Sequence, residues 1–464
     1  MLPVVHIYID RSEAETWNHD EIDNLQGKIN TGEYSMSKVI IIGGGAAGMM
    51  AGVFAARNHH EVHILEKNEK LGKKVFITGK GRCNVTNACD TEELFPAMMS
   101  NPKFLYSSFY SFTPQDVMEF FEKAGVPLKV ERGNRVFPQS DHSSDIIRAL
   151  ERELKKAGAK IHLHTAVQEI VKKPITESVT DSVNTLESEA ALTESGSDAG
   201  KNRKGKKSSD IQQEKITGVI LTDGTFIEGD AVIVATGGFS YQSTGSTGDG
   251  YRFARELGLK VTDIAPSLVP LKTKEDYIPK LQGLSLKNTG LTIKNGKKVL
   301  YEDFGEMMFT HFGVTGPMIL SASAHIGAKL AKAPNGELSA YLDLKPALTK
   351  EQLDARILRE FEAGPNKQFK NVIGVLFPSS LTPVMIELGG IPAEKKIHDI
   401  SREERQHFID LIKAFPFTIT GMGEFKEAII TRGGVSVKEI KPREQWNQRN
   451  SGLYSQVKCW IWMQ

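Results

Sequence analysis

A regular pattern of apolar positions starts at Lys38, after residues 1–35, which are polar and show no clear periodicity. The pattern predicts a buried strand at 39–42, a helix rich in Ala and Met at 46–58, and a second strand at 61–65. Together these elements predict a compact βαβ unit. Because the pattern begins next to Met36, we hypothesise that Met36 is the natural start and that residues 1–35 are translated upstream sequence.

Further along, helical periodicity at 144–157 ends at Gly158, and a strand-like pattern follows at 160–170. Residues 172–214 are rich in Ser, Thr, Glu, Asp, Gly and Lys and lack aromatic residues, so we predict a disordered surface insertion. The strand-like pattern resumes at 216–221, turns at Asp223-Gly224 and returns through 226–235. We therefore expect the insertion to lengthen a β-meander.

The run Gly43-Gly44-Gly45-Ala46-Ala47-Gly48 supplies a G-x-G-x-x-G pattern between the first predicted strand and the helix. Gly43 allows a tight turn, Gly45 lets a pyrophosphate approach the backbone, and Gly48 permits close packing of helix on strand. The helix N-terminus offers unpaired N–H groups to phosphates. Glu66 follows the second strand, where a carboxylate can bind an adenosine ribose. A glycine-rich loop without a ligand is the alternative, which this combination disfavours.

Two later glycine-rich stretches favour FAD over NAD. The first is Thr78-Gly79-Lys80-Gly81-Arg82-Cys83-Asn84, whose glycines, Lys and Arg can wrap phosphate oxygens and place N–H donors at a flavin edge. The second is Thr236-Gly237-Gly238 at the end of a predicted strand, a turn common where a flavoprotein chain passes its dinucleotide. No second G-x-G-x-x-G occurs in a strand–helix context, so we predict tightly held FAD with NAD(P)H as a transient co-substrate.

The remaining pattern predicts an α/β fold with several domains. Short β-like runs alternate with turns over 266–343, whereas 350–415 contains helical segments. We predict a Rossmann-type FAD-binding domain at 36–250 that returns at 416–454, a β-rich insert at 251–345 and a small helical subdomain at 346–415.

Charge and cysteine content narrow the partners. The 58 basic and 57 acidic side chains balance, so we expect no nucleic-acid partner. No apolar run approaches the roughly 18 residues that span a bilayer, and no signal peptide is recognisable, so we expect no membrane partner and a cytoplasmic location. Three cysteines are too few for a disulfide scaffold or a four-ligand zinc site, and we predict no metal site.

Three residues are candidates for chemistry beside the flavin. Cys83 next to Arg82 could be a reactive thiol, although a buried packing thiol is the favoured interpretation. His311 could donate a proton, or it could be a hydrogen-bonded histidine at a turn. Arg432 could offset the charge of reduced flavin, because Gly433 and Gly434 let the backbone come close.

An aromatic cluster offers a further possibility, namely a face for a planar substrate. It consists of Phe104, Phe109, Tyr110 and Phe112. Aromatic core is the interpretation that we favour for these four residues.

These motifs resemble those of the BaiN-like flavoproteins, a family also described as aminoacetone-oxidase-like NAD(P)/FAD-dependent oxidoreductases. The resemblance extends over residues 36–454. The matching runs are Ile42-Gly43-Gly44-Gly45-Ala46-Ala47-Gly48, Thr78-Gly79-Lys80-Gly81-Arg82-Cys83-Asn84, Gly237-Gly238-Phe239-Ser240-Tyr241, Thr244-Gly245-Ser246-Thr247-Gly248-Asp249-Gly250, Gly305-Glu306-Met307-Met308-Phe309-Thr310-His311-Phe312-Gly313 and Thr431-Arg432-Gly433-Gly434-Val435.

The resemblance implies an FAD domain split by a β-barrel-like insert and a helical insert. It also implies that residues 78–84 and 432–435 lie nearer the isoalloxazine. On the adenosine-diphosphate half of FAD it places Ala47, Glu66, Lys67, Lys74 and, through its backbone, Val167.

The resemblance breaks after Tyr454. Family members continue with Phe-Ala-Gly-Glu and Leu-Asp, a segment that supplies the last flavin-binding strand and helix, whereas this chain continues with residues 455–464. When the codons that encode residues 455–464 are read one base earlier, they yield Leu-Asp, and the codons just before that point permit Phe-Ala-Gly-Glu. We hypothesise that residues 455–464 are translated out of frame and that the chain lacks the segment closing over the ribityl and pyrophosphate. Resequencing the locus distinguishes a sequencing error from a real deletion.

The sequence thus predicts an FAD-dependent oxidoreductase that acts on a small organic molecule. Two reactions stay open, namely reduction of an enone-like substrate with NAD(P)H and oxidation of a small amine with return of electrons to oxygen. A non-catalytic flavin-fold protein is a further alternative, which the missing C-terminal motif favours.

Overall fold

The computed structural model describes residues 36–174, 214–440 and 450–455. The predictions for residues 1–35, for 175–213 of the insertion and for the tail beyond Ser455 lie outside these residues. The described chain forms two compact units. The sheet unit contains the described residues up to 237, residues 248–262 and those from 434 onward, and the barrel unit contains 238–247 and 263–433. No helix in the described ranges is long and apolar enough to cross a membrane.

A five-stranded parallel sheet organises the sheet unit. Its spatial order is Leu453–Ser455, Ala231–Val234, Lys38–Ile42, Glu61–Leu65 and Lys160–His162. The central strand is buried on both faces, with Ile40 and Ile41 fully inaccessible, as expected for parallel strands covered on both sides. The helix Ala46–Arg57 connects the first two strands, which confirms the predicted βαβ unit.

The two faces of this sheet are covered differently. One face packs on Ala46–Arg57 and on the amphipathic helix Ser143–Lys156, whose Ile146, Leu150 and Leu154 recur at helical spacing and are fully buried. The other face packs on a small sheet that includes Val167–Pro174 and Glu214–Leu221. The helix predicted at 144–157 is thereby confirmed.

The single strand predicted at 160–170 is wrong. Lys160–His162 belongs to the parallel sheet, whereas Val167–Pro174 pairs antiparallel with Glu214–Leu221. Between them the chain turns at His164, which has φ 53° and whose N–H donates to the carbonyl of Asn68. Two consecutive β patterns with a positive-φ break between them are indistinguishable from one strand in the sequence.

The remaining elements of the sheet unit are short. Phe226–Glu228 and Asn450–Ser451 extend the small sheet that includes Val167–Pro174 and Glu214–Leu221. In the predicted turn that precedes Phe226, Gly224 has φ 87°. A three-stranded sheet is formed by Thr86–Asn87, Arg135–Pro138 and Leu128–Glu131. The further helices are Lys73–Ile77, Thr78–Gly81, Thr91–Leu94, Pro102–Leu105, Tyr106–Ser111, Pro114–Lys123, Gln242–Thr244 (in the barrel unit) and Asp249–Glu256.

The barrel unit contains a closed six-stranded barrel, which confirms the barrel-like insert. In spatial order the strands are Leu271–Thr273, Gly313–Thr315, Lys298–Phe309, Ser285–Asn295, Leu338–Asp343 and Phe415–Met422. Phe415, Phe417 and Ile419 alternate into its core. The strand Phe415–Met422 therefore lies in the barrel and not in the returning FAD-binding domain, where the predicted boundary at residue 416 placed it.

At the boundary predicted at residue 251, the chain stays in the sheet unit for longer than we expected. Residues 251–262, which we assigned to the insert, lie in the sheet unit, where Phe253 and Leu257 of this segment join the core beneath the parallel sheet. The helical segments share one apolar core with the barrel. The helices and short elements of the barrel unit are Tyr277–Lys280, Pro317–Leu330, Pro334–Gly336, Lys350–Glu362, Phe369–Val372, Ile373–Leu376, Leu381–Gly389, Ile397–Asp399 and Arg402–Lys413, with the strand pair Ala265–Ser267 and Ile430–Arg432; Val437–Glu439 follows in the sheet unit.

The strand Leu453–Ser455 bears on the prediction for the C-terminus. Leu453 is buried and pairs in parallel register with Val232. Gly452 has φ 84°, and a Cβ there would lie 2.7 Å from the carbonyl oxygen of Asp230. The last strand, which we expected to be lost beyond Tyr454, thus begins at Leu453.

Candidate functional site

Three glycines of the turn after Lys38–Ile42 have different surroundings. A Cβ at Gly43, which has φ 107°, would lie 2.7 Å from the carbonyl oxygen of Ala235, and a Cβ at Gly48 would lie 1.9 Å from that of Gly43. A Cβ at Gly45 would meet nothing within 4 Å. Packing therefore explains Gly43 and Gly48 but leaves open space at Gly45, as a cradle for a pyrophosphate requires.

The helix that begins at Ala46 presents its N-terminus to this space. Gly45 is its N-cap and has no side chain to cap the first N–H groups. The first turn contains no acidic residue, so the positive end of the helix keeps its charge for a ligand. The arrangement fits the phosphates of a dinucleotide.

Glu66 is held rigidly at the end of the neighbouring strand. One carboxylate oxygen accepts from the N–H of Gly44 at 2.7 Å, and the other accepts from the N–H and side-chain amide of Asn68 at 2.8 and 2.6 Å. A carboxylate has about four acceptor positions, so it retains capacity for a ribose hydroxyl. We missed Asn68, although an Asn two residues after a strand-ending carboxylate is a recognisable turn signal.

Other predicted residues gather at the same edge. Lys67 forms a 2.6 Å ion pair with Asp249, at the start of the helix Asp249–Glu256. A Cβ at Gly250 would lie 2.6 Å from the hydroxyl of Thr236, and Gly237 follows with φ 77°. The turn at Thr236 and the motif ending at Gly250 are thus brought to the glycine turn.

Val167 is close to this edge along the chain and in space. Its side chain is buried beneath the parallel sheet. The N–H of Thr165, two residues earlier, donates to the carbonyl oxygen of Glu66 at 2.9 Å. The structure therefore places the backbone leading into Val167 beside Glu66, where the resemblance implies an adenosine contact.

Lys74 lies on the short helix Lys73–Ile77. The preceding Gly72 has φ 68°, and its N–H donates to the carbonyl of Gly44 at 2.9 Å, which ties this helix to the glycine turn. Burial lowers the pKa of Lys74 to about 8. Desolvation disfavours the charged amine, whereas a phosphate beside it would stabilise the charge. Lys74 therefore fits the implied contact with FAD.

The loop 78–84 is strongly bent, with positive φ at Gly79, Lys80, Gly81 and Cys83. Its Arg82 binds the carboxylates of Glu131 and Asp141, and its guanidinium lies 4.1 Å from the ring centre of Phe137. These ion pairs anchor the loop, and the contact of Arg82 with phosphate oxygens stays a prediction. Cys83 is buried, as the packing interpretation requires, and Asn84 follows it.

His311, Arg432, Gly238 and Gly433 belong to the barrel unit. His311 is exposed at the turn after Lys298–Phe309, where its ring contacts that of Phe312 edge-on. Arg432 is exposed and pairs with Ala265. Their contacts with a cofactor, and that of Gly434 in the sheet unit, stay predictions.

Two of the family motifs do meet within the barrel unit. The hydroxyl of Thr431 accepts from the N–H of Phe239 at 2.8 Å, and the hydroxyl of Ser240 donates to the carbonyl of Ile429 at 3.2 Å. A Cβ at Gly433, with φ 86°, would lie 2.1 Å from the carbonyl oxygen of Asp263, so packing alone requires this glycine. Across the described residues, no group of three or more His, Cys, Asp or Glu side chains suits a metal ion.

Comparison with known families agrees with this geometry. A model described as the HI0933-like protein Rossmann domain matches residues 37–200, and a second, the HI0933-like protein barrel and H2TH domain, matches residues 265–430. The chain belongs to the HI0933-like family. This membership covers both units and includes the BaiN-like flavoproteins that the motifs resemble, so the chain is an FAD-dependent oxidoreductase.

Three curated relatives of the HI0933-like chain match almost its whole length. A 3-dehydro-bile acid delta(4,6)-reductase from Clostridium scindens is 28% identical, over 90% of this chain and 91% of that protein. A ribosomal RNA dihydrouridine synthase from Haemophilus influenzae is 27% identical, over 90% of each. The enzyme of the same name from Escherichia coli is 25% identical, over 89% of each.

Proposed function

We propose that the chain uses FAD to reduce a carbon–carbon double bond conjugated to a carbonyl group in a small cyclic substrate, with NAD(P)H as the reductant. The observation that carries this proposal is that the relatives' names describe one type of reaction, the reduction of a carbon–carbon double bond conjugated to a carbonyl group. A 3-dehydro delta(4,6) bile acid contains double bonds conjugated to a ketone, and dihydrouridine is uridine with the double bond beside its carbonyl reduced.

The reaction balances with the named reductant. NAD(P)H is oxidised to NAD(P)⁺, the carbon β to the carbonyl gains a hydride, and the α carbon gains a proton. Bound flavin supplies the hydride-transfer chemistry. This chain's own residues would hold the cofactor, with the open space at Gly45 and the N-terminus of Ala46–Arg57 on the phosphates and Glu66 on the ribose.

The relatives' names also suggest a second candidate substrate, a uracil ring within RNA. Two of the three carry that activity in their names. The balanced charge of this chain, with a net value of +1, does not favour a polyanion, so we propose the small substrate first.

Anaerobic spectroscopy tests the proposal. We expect NADH or NADPH to bleach the flavin absorbance of the FAD-loaded chain, and a cyclic enone to restore it with formation of the saturated ketone. Bleaching by a small amine, with no response to either pyridine nucleotide, would overturn the proposal in favour of an amine oxidase. If only a uridine-containing RNA restores the absorbance, the small-substrate part is wrong, and a chain that stays colourless in FAD is a non-catalytic member of the fold.

A further inference from the structure

Two histidines that are 99 residues apart in the sequence meet on neighbouring strands of the parallel sheet. Nδ1 of His63 lies 3.0 Å from Nε2 of His162, and the two rings are parallel within 4°. His63 is 9% exposed and shares a face of the sheet with Leu65, which belongs to the apolar core there. The two imidazoles thus form a polar pair beside an apolar core.

The hydrogen bond between the two rings requires that one of the facing nitrogens lacks a proton. Glu61 accepts from Nε2 of His63 at 3.0 Å, and a carboxylate only accepts, so this nitrogen carries a hydrogen. If His63 is neutral, its Nδ1 accepts from His162. If His63 is cationic, its Nδ1 donates to His162. In both states the pair carries no more than one extra proton.

A second extra proton breaks this arrangement. With both imidazoles protonated, the facing nitrogens are both donors, the hydrogen bond is lost, and two like charges lie in contact. Burial lowers the pKa of His162, and the nearby His63, Lys160 and Lys38 lower it further. Geometry and electrostatics therefore both oppose the doubly protonated pair.

The charges around the pair come from three strands. Glu61 lies on the strand of His63, Lys160 on that of His162, and Lys38 on the central strand. Hydrogen bonds from Lys160 and His63 lower the pKa of Glu61 to about 2, so this carboxylate stays ionised in mild acid. Its one negative charge is shared by two donors and cannot offset a second protonated imidazole. The small sheet that packs on this face contributes apolar side chains.

The segment that contains His162 also supports the carboxylate of the proposed ribose site. The carbonyl of His162 accepts from the N–H of Glu66 at 2.9 Å, and the N–H of Thr165 donates to the carbonyl of Glu66 at 2.9 Å. The N–H of His164 donates to the carbonyl of Asn68 at 3.0 Å, and the side chain of Asn68 donates to that of Glu66. This segment therefore fixes both the backbone and the side chain of Glu66.

The strand Lys160–His162 is the edge strand of the parallel sheet in the described residues. An edge strand of three residues has hydrogen-bond partners on one side and opens at a lower free energy than a central strand. Charge repulsion at His162 therefore acts on a part of the sheet that separates easily.

We propose that His63 and His162 are positioning residues for Glu66, which hold it in place only while at most one of the two imidazoles is protonated, so that acidification weakens FAD binding. The inference concerns the cofactor and does not depend on the substrate that we propose.

The direction of the pH dependence follows from the two conformations of this edge strand. In the opened conformation His162 titrates as an ordinary histidine, near pH 6.5, whereas the closed pair accepts the second proton only at lower pH. The closed conformation is therefore fully favoured above about pH 6.5. Below that pH it loses stability, by at most about tenfold per pH unit.

His162→Gln tests the proposal, because the amide donates to Nδ1 of His63 but does not titrate. We expect the dissociation constant of FAD from wild type, measured by equilibrium dialysis, to rise about three- to tenfold between pH 7 and pH 5. In His162→Gln it should change by less than about twofold. Lys74, with a pKa of about 8, keeps its charge over this range.

His407→Gln is the matched control, because His407 is an exposed histidine on the helix Arg402–Lys413 of the barrel unit. It should keep the wild-type decline of FAD affinity. A constant FAD affinity of wild type between pH 7 and pH 5 would overturn the proposal, as would a decline that persists in His162→Gln.

Hydrogen exchange in cofactor-free wild type tests the same opening without any substitution. After correction for the intrinsic effect of pH on exchange, protection of the amides of Glu66 and Thr165 should fall between pH 7 and pH 5. Unchanged protection would overturn the proposal even if His162→Gln fails to fold. If both FAD affinity and protection fall as expected but no enone is reduced, the positioning role stands and the proposed function fails.

Discussion

At the carboxyl ends of its parallel strands, the sheet unit gathers glycines, Glu66 and Lys67 around open space at Gly45. The barrel unit does the reverse: apolar side chains fill its interior, and its candidates His311 and Arg432 lie exposed at a turn and a short strand. Parallel strands end in backbone groups and loops that face one edge, whereas a closed barrel of six strands leaves room only for its own side chains. From this comparison we expect the phosphates and the adenosine ribose of the cofactor to bind in the sheet unit.

The largest effect should come from Gly48→Ala. Its Cβ would overlap the carbonyl oxygen of Gly43, so helix and turn must separate. We expect a loss of about 3 kcal/mol or more in the free energy of unfolding, measured with urea. Gly45→Ala is the control, since its methyl group enters open space and should change stability by less than about 0.5 kcal/mol. Equal destabilisation by both would remove the distinction between the two glycines.

Glu66→Ala should have the next largest effect. It leaves the N–H of Gly44 and the amide of Asn68 without their acceptor, which costs about 1–3 kcal/mol in the free energy of unfolding. The exposed Glu69, whose partner is Lys73, offers a matched control, and Glu69→Ala should cost less than about 0.5 kcal/mol. If the two variants unfold at the same urea concentration, Glu66 is not the rigid group that the structure shows.

The affinity for FAD should depend on pH through Lys74. Its pKa of about 8 in the free chain must rise when a phosphate binds beside it. Affinity is therefore full below pH 8 and falls above it, by at most about tenfold per pH unit, until the pKa of the complex is reached. Lys74→Met should bind FAD more weakly and with a flat profile between pH 7 and 9.

Lys70→Met provides the control for that pH profile, because Lys70 is an exposed neighbour above the ring of Phe76. It should keep the decline of FAD affinity above pH 8. A decline that persists in Lys74→Met would show that another group is responsible.

The smallest effect on the cofactor is expected in the barrel unit. His311→Ala removes an exposed side chain, so both stability and FAD affinity should change by less than about 0.5 kcal/mol. Calorimetric titration with FAD measures this. A tenfold loss of affinity would mean that the barrel unit also holds the cofactor and would break the comparison.

The sequence predicted the parts of the site that are local along the chain. Gly43, Gly45, Gly48 and Glu66 could be found because strand, turn and helix follow one another, each with its own periodicity. The ion pairs of Arg82 could not be found in this way, since its partners Glu131 and Asp141 lie 49 and 59 residues away along the chain. An ion pair of this kind leaves no periodic signal.

The boundary at residue 416 failed for a related reason. The alternation of Phe415, Phe417 and Ile419 suits a barrel strand and a strand of the FAD-binding domain equally well. Only pairing with Leu338–Asp343 and Leu271–Thr273 decides between them. Element type is thus readable from periodicity, whereas membership of a sheet depends on distant partners.

Equilibrium dialysis of FAD against wild type and Gly45→Ala tests the central claim most directly, namely that the open space at Gly45 receives the pyrophosphate. The account predicts that wild type binds one FAD per chain and that Gly45→Ala, with its stability intact, binds at least about tenfold more weakly, a difference of ~1.4 kcal/mol. Equal affinity of the two proteins for FAD would contradict it.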